Sequence, residues 1–131
     1  MRIRTVRVQA TEQGPQIEFV SPAGAGCGRW CSGPVVLQRE YEVELDFIQT
    51  YLWGETAFLA GLECTAEKIE FSGGQNRVCA RAVDVDDSCV TLQLAGSIVL
   101  LELAGFPAAH IGDLIRFAAW PDLTVITDCH T

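Results

Sequence analysis

The sequence predicts an all-β protein: a small single-domain barrel or sandwich with one short helix or helical turn. Three observations carry this. The first is a period-2 alternation of apolar and polar residues, clearest at Glu40-Tyr41-Glu42-Val43-Glu44-Leu45-Asp46-Phe47. The second is the recurrence of turn-forming clusters every 8 to 12 residues, which cuts the chain into short strands. The third is size: 131 residues at 49% hydrophobic and 20% charged is enough for one core and too apolar for disorder.

Taken in order, Ile3–Ala10 and Gln16–Ser21 read as a hairpin across Glu12-Gln13-Gly14-Pro15. Residues 23–34 are rich in glycine and carry Cys27, Arg29, Trp30 and Cys31, so they read as a loop outside the regular strands. The domain is therefore expected as 1–131, with a hairpin and Gly/Cys-rich loop at 1–34 and a main barrel at 35–131. In the strand at 40–47, Tyr41, Val43, Leu45 and Phe47 share one face, and Glu40, Glu42, Glu44 and Asp46 form an acidic comb on the other. The teeth of that comb stand about 7 Å apart at a rise of about 3.4 Å per residue. Arg77 and Arg81 alternate on Arg77–Val83 and would answer it if the two strands pair.

The segment 53–62 lacks alternation and is read as a short helix or an apolar loop capping the barrel. Strands follow at Ala66–Phe71, Arg77–Asp84, Val90–Leu94 and Ser97–Leu103. A helical turn is expected after Pro107, and then Asp113–Ala119 and Leu123–Thr127 as a last pair around Trp120-Pro121-Asp122.

Seventeen acids against nine bases give a formal net charge of −8, and Lys68 is the only lysine. Phosphate backbones are bound by clustered Lys and Arg, so this balance argues against a general nucleic-acid binder and fits a basic protein partner. MRIRTVRVQATEQG has no apolar run of the kind a secretory signal needs, and Leu92–Phe106 is too short and too polar to span a bilayer. The expectation is a cytoplasmic protein without membrane contact. Its six cysteines are then read mostly as small core hydrophobes in a reducing compartment.

The succession of strands from Tyr41 to Thr127, with the turn Pro107–His110, the sequence HIGDLIRF and the sequence DLTVITD, resembles the closing half of an oligonucleotide/oligosaccharide-binding (OB) barrel. The resemblance implies an OB-like barrel. Nucleic-acid-binding members present a basic, aromatic face, whereas the face legible here is acidic.

The sequence nominates no catalytic constellation. G-x-S-x-G and P-loop glycines are absent, and Asp84–Ser88 reads as a hairpin turn because a calcium loop's sixth-position glycine is missing. His110 is a turn residue with no nominated partner, and Cys129-His130 lies at a terminus. Cys27 and Cys31 offer half of a zinc site, with no second close pair to complete it. No cofactor is expected. The reading is a non-enzymatic acidic binding protein, of inhibitor or immunity type, that occludes a basic partner. Its contact residues would be Arg29, Trp30, Tyr51 and Trp53 from loops, with Glu40, Glu42, Glu44 and Asp46. An OB-type ligand or nucleic-acid-binding module is the first alternative, and a basic, aromatic groove hidden by the overall acidity would favour it. A zinc-binding β protein is the second.

Overall fold

The computed structural model describes residues 1–62 and 64–129. The chain is 64% strand and 5% helical, and five strands close a barrel. These are β1 (Arg2–Thr11), β2 (Gly14–Ser21), β3 (Gly24–Trp30), β4 (Glu40–Phe47) and β12 (Thr124–Asp128). The circuit runs antiparallel from β1 through β2 to β3, parallel from β3 to β12, and antiparallel from β12 through β4 back to β1. Ile3, Ile17, Phe19, Trp30, Val43, Leu45 and Ile126 are buried within it. They are the alternate residues of their strands, as a sheet with one face turned inward requires.

All other strands are inserted between β4 and β12: β5 (Thr50–Leu52), β6 (Ala57–Leu59), β7 (Lys68–Ser72), β8 (Gln75–Asp86), β9 (Cys89–Leu94), β10 (Ser97–Ala104) and β11 (Leu114–Ala119). The long β8 is the spine of this insert. β11 pairs with residues 76–81 along one edge, while β7 and then β9 pair along the other. β6 extends the sheet beyond β11, and β10 extends it beyond β9, with β5 parallel to β10. Insert and barrel share one core: the Phe117 ring of β11 lies edge-on to Phe47 of β4 at 5.3 Å and to Tyr51 of β5 at 5.1 Å. No helix among the described residues is long and apolar enough to cross a membrane.

The junction between insert and barrel is made by Asn76, fully buried on β8. Its amide oxygen accepts from the Cys27 backbone N–H at 2.8 Å, and its amide nitrogen donates to the Cys27 carbonyl at 2.6 Å and to Thr124 Oγ1 at 3.1 Å. Between its pairings with β7 and β12, β3 has no ladder partner at Cys27 on that edge. The Asn76 side chain fills the gap as one residue of strand would, satisfying two buried backbone groups that otherwise carry a desolvation penalty.

Several sequence expectations are corrected here. Residues 24–30 are a strand and not a loop. Their glycines serve close packing: a Cβ on Gly26 would stand 2.5 Å from the Phe19 ring, and one on Gly28 would stand 2.7 Å from the Thr124 carbonyl. The N-terminal hairpin belongs to the closed barrel, and of residues 41–127 only β4 and β12 contribute to it. The last two strands do not pair with each other, because β11 joins β8 and β6 while β12 joins β4 and β3. The segment 53–62 contains the short strand β6 and no helix. Elsewhere the expected strands, the helical turn (a 3-10 turn at Ala108–His110) and the hairpin turn after β8 lie where alternation and turn residues put them.

Candidate functional site

A cleft of about 710 Å³ opens on the outer face of β6, β11, β8 and β7, walled by the loop that contains Gly61, Leu62 and Cys64. Strand alternation explains its floor. On β8, Asn76, Val78 and Ala80 point inward, so Arg77 and Arg81 point out; on β11, Ile115 and Phe117 point inward, so Arg116 and Ala118 point out. Register then places Lys68, Cys79, Arg116 and Phe58 in one row across the four strands, and Glu70, Arg77 and Ala118 in the next. With strands about 4.8 Å apart, Lys68 and Arg116 stand about 10 Å apart on either side of Cys79. Arg77 lies diagonal to both.

Among the described residues, three cations and one carboxylate thus line the cleft. The Arg116 guanidinium lies over the Phe58 ring, 4.7 Å from its centroid. None of Lys68, Arg77 and Arg116 has a carboxylate within 4.0 Å among the described residues, whereas Arg2, Arg4, Arg7 and Arg81 each do. A disulfide joins Cys64 on the loop to Cys79 at the centre of the floor, with Cα atoms 6.6 Å apart. Leu62 at the rim is 99% exposed.

The residues nominated from sequence are scattered. Trp30 is 3% exposed: it fills the barrel end, lies edge-on to Tyr41 at 4.8 Å and donates its indole N–H to the Gly33 carbonyl at 2.9 Å. It is a core residue and offers no exposed anchor. Tyr51 is likewise buried and donates its hydroxyl to the Ala118 carbonyl at 2.7 Å, and burial pushes that hydroxyl well above the ordinary tyrosine range. Trp53 is half-buried against Phe106 and His110. Arg29 is half-buried on the outer face of β3, opposite Gln16. The comb on β4 is answered by β1 and not by β8: Glu40 pairs with Arg4 at 3.4 Å, and Glu42 pairs with Arg2 at 3.3 Å and with the amino terminus at 3.6 Å. Glu44 and Asp46 stay exposed with no cation within 4.0 Å among the described residues.

Cys27 and Cys31 do not converge. Four residues of extended chain separate their Cα atoms by about 13 Å, while one zinc ion holds each sulfur at about 2.3 Å. Burial, and then the nearby Glu18 carboxylate, push the Cys27 thiol up to about 11, away from the thiolate a metal needs. Among the described residues no three His, Cys, Asp or Glu side chains gather into a metal-binding group. Cys129 is exposed, and His130 lies outside the described residues. His110 does have a partner that sequence reading missed: Asp113 Oδ2 lies 2.9 Å from its Nδ1, an i, i+3 contact across the 3-10 turn.

The cleft residues were also missed. Arg77 and Arg116 are 39 positions apart, and only the pairing of β11 with β8 makes them neighbours. The available signal was their outward place in the alternation, shared with Lys68.

No protein-family model, no curated protein and no solved structure matches this chain.

Proposed function

We propose that the protein is a non-enzymatic binding module that captures an anionic ligand in the cleft of the inserted sheet. One observation carries this reading. In a chain of net charge −8, Lys68, Arg77 and Arg116 line a single open cleft with no carboxylate ion pair among the described residues. Exposed cations of an acidic protein gain by pairing with its own carboxylates. Three that stand together unpaired, beside a stacked aromatic ring, form a positive concavity suited to phosphate or carboxylate groups. The reading assigns the cleft recognition and no chemical step.

The test is titration with inorganic phosphate, pyrophosphate and citrate at low salt, followed by NMR. Saturable shifts of Lys68, Arg77 and Arg116 resonances, lost in an Arg77→Gln/Arg116→Gln variant and weakened by added salt, are expected. Absence of any saturable shift sinks the reading.

A second reading keeps the basic protein partner, and what favours it is that Glu44 and Asp46, on the exposed face of β4, have no cation within 4.0 Å among the described residues. It is the narrower of the two, since Arg2 and Arg4 neutralise half of the comb. A partner of this kind is held less tightly as salt rises and is lost on Glu44→Gln/Asp46→Asn substitution.

A further inference from the structure

The chemistry of the cleft narrows its ligand further. We infer that it takes a mononucleotide, with the base stacked at Arg116 and Phe58 and the phosphate held by Lys68 and Arg77; this rests on the anion-binding reading above.

The stacked pair is the first reason. The Arg116 guanidinium carbon lies 4.7 Å over the Phe58 ring centroid, within reach of a cation–π contact. Arg116 is exposed while Phe58 is half-buried, so the guanidinium forms the outer layer of the pair. Guanidinium planes and aromatic rings are the surfaces on which nucleobases stack. Because the Phe58 contact already holds the Arg116 side chain, less side-chain freedom is lost when a ring is laid on it.

Spacing is the second reason. Lys68 stands two strands from Arg116, about 10 Å, and Arg77 lies on the strand between them, two residues along the sheet. A single phosphate bridged by Lys68 and Arg77 therefore sits to one side of the stacked pair, and a ligand engaging all three cations needs a spacer between its ring and its phosphate. A nucleoside supplies one in its sugar. A ring bonded directly to phosphate is too short to reach both ends.

Glu70 is the third. It faces Arg77 directly across the β7–β8 ladder and lines the same cleft. A carboxylate repels a bare polyanion and accepts hydrogen bonds from hydroxyl groups, so it suits a ligand that carries hydroxyls beside its phosphate. The cleft volume of about 710 Å³ is also far larger than an inorganic phosphate and lies in the usual range for small-molecule sites. The overall acidity disfavours a long nucleic-acid strand, whose many phosphates would meet the rest of the surface. A single nucleotide meets only the cleft.

The experiment titrates the full chain, by calorimetry and NMR at low salt, with inorganic phosphate, ribose 5-phosphate, a nucleoside, and purine and pyrimidine nucleoside 5′-monophosphates. At least one nucleotide is expected to bind about tenfold or more tighter than ribose 5-phosphate, the margin one stacked base provides. Phe58→Leu should erase that margin, bringing the nucleotide's affinity down to that of ribose 5-phosphate. Arg77→Gln should weaken nucleotide and phosphate alike. Circular dichroism of each variant checks its fold, and Phe58→Tyr, which keeps the ring, should restore the margin. Equal affinity for nucleotide and inorganic phosphate overturns the inference and leaves the anion-binding reading standing. A nucleoside binding as tightly as its monophosphate also overturns it, by removing the phosphate. If no anion binds, both fall.

Discussion

Replacing Asn76 with alanine tests how the inserted sheet is fastened to the barrel. The wild-type amide satisfies the Cys27 N–H at 2.8 Å, the Cys27 carbonyl at 2.6 Å and Thr124 Oγ1 at 3.1 Å, and Asn76 is 0% exposed. Alanine removes all three contacts and leaves two backbone groups of β3 unpaired. Each buried orphan costs about 1–3 kcal/mol, so the pair and the vacated volume together cost about 4 kcal/mol. Against a typical domain stability of about 5–15 kcal/mol this is a large fraction. With a urea m-value of about 2 kcal/mol/M, the unfolding midpoint falls by about 2 M. Equilibrium urea unfolding followed by tryptophan fluorescence measures it, since Trp30 is buried and reports the barrel. Asn76→Asp separates the parts: its carboxylate still accepts from Cys27 but donates to neither oxygen, and it must stay neutral or bury a charge. It should be as damaging at neutral pH and partly recover as the pH is lowered toward the point where the unfolded-state carboxyl is also protonated. Gln75→Ala, at a half-buried neighbouring site, is the control. An Asn76→Ala midpoint within about 0.3 M of wild type would falsify the claim that this amide substitutes for a strand, because two buried orphans imply several times that shift.

Three further outcomes follow from the geometry. The Cys64–Cys79 disulfide closes a loop of separation 15, and a cross-link of that span contributes about 3 kcal/mol; the urea midpoint should therefore fall in dithiothreitol, and an unchanged midpoint refutes the bond. Trp30→Ala should cost about 3–5 kcal/mol as a core truncation, whereas Trp120→Ala, at a residue 49% exposed, should stay within about 1 kcal/mol; equal effects would return Trp30 to the surface. The Cys27 thiol is pushed from 9.0 to about 11, so at pH 8 it should be alkylated far more slowly than the exposed Cys31 and Cys129, as read by mass spectrometry of native protein. Because its folded value is raised, the stability it contributes is complete below about pH 9 and is lost as pH rises through about 11.

Most strand positions were legible because half-buried strands write their alternation into the sequence, as Glu40–Phe47 does on both of its faces. Pairing was far less legible. Nothing local distinguishes a β4 that faces Arg77 and Arg81 from one that faces Arg2 and Arg4, since both basic strands alternate in the same way. The Gly24–Trp30 stretch misled for a definite reason: glycine signals flexibility only when its neighbours are open. Gly26 and Gly28 are set against Phe19 and Thr124, where a side chain has no room. Trp30 followed from the same mistake, for a tryptophan in a loop is an anchor and a tryptophan on an inward strand position is core. Cysteine was ambiguous for a different reason, because a pair separated by 15 residues becomes a disulfide only when β8 and the 61–64 loop meet.

The distribution of ion pairs argues that the cleft is a separate feature of the molecule and not a by-product of its folding. On the barrel, Arg2, Arg4 and Arg7 each pair with a glutamate on a neighbouring strand. On the inserted sheet, Arg81 pairs with Glu67, yet Arg77 stands directly across from Glu70 without closing to within 4.0 Å of it. Lys68 faces Cys79 across the β7–β8 ladder, and Arg116 spends its contact on Phe58. Folding alone gives these cations no reason to gather, because sheet stability needs only half-buried outward residues at those positions and exposed pairs are worth about 0–1 kcal/mol. The Asn76 clamp is one residue away from Arg77 on the same strand, facing the opposite side. It therefore fixes β8 against the barrel at the point where the cleft's central cation emerges. If the cleft binds as proposed, stability and recognition are divided between the two faces of one strand, and substitutions at Arg77, Lys68 or Arg116 should change binding while the unfolding midpoint stays near that of wild type.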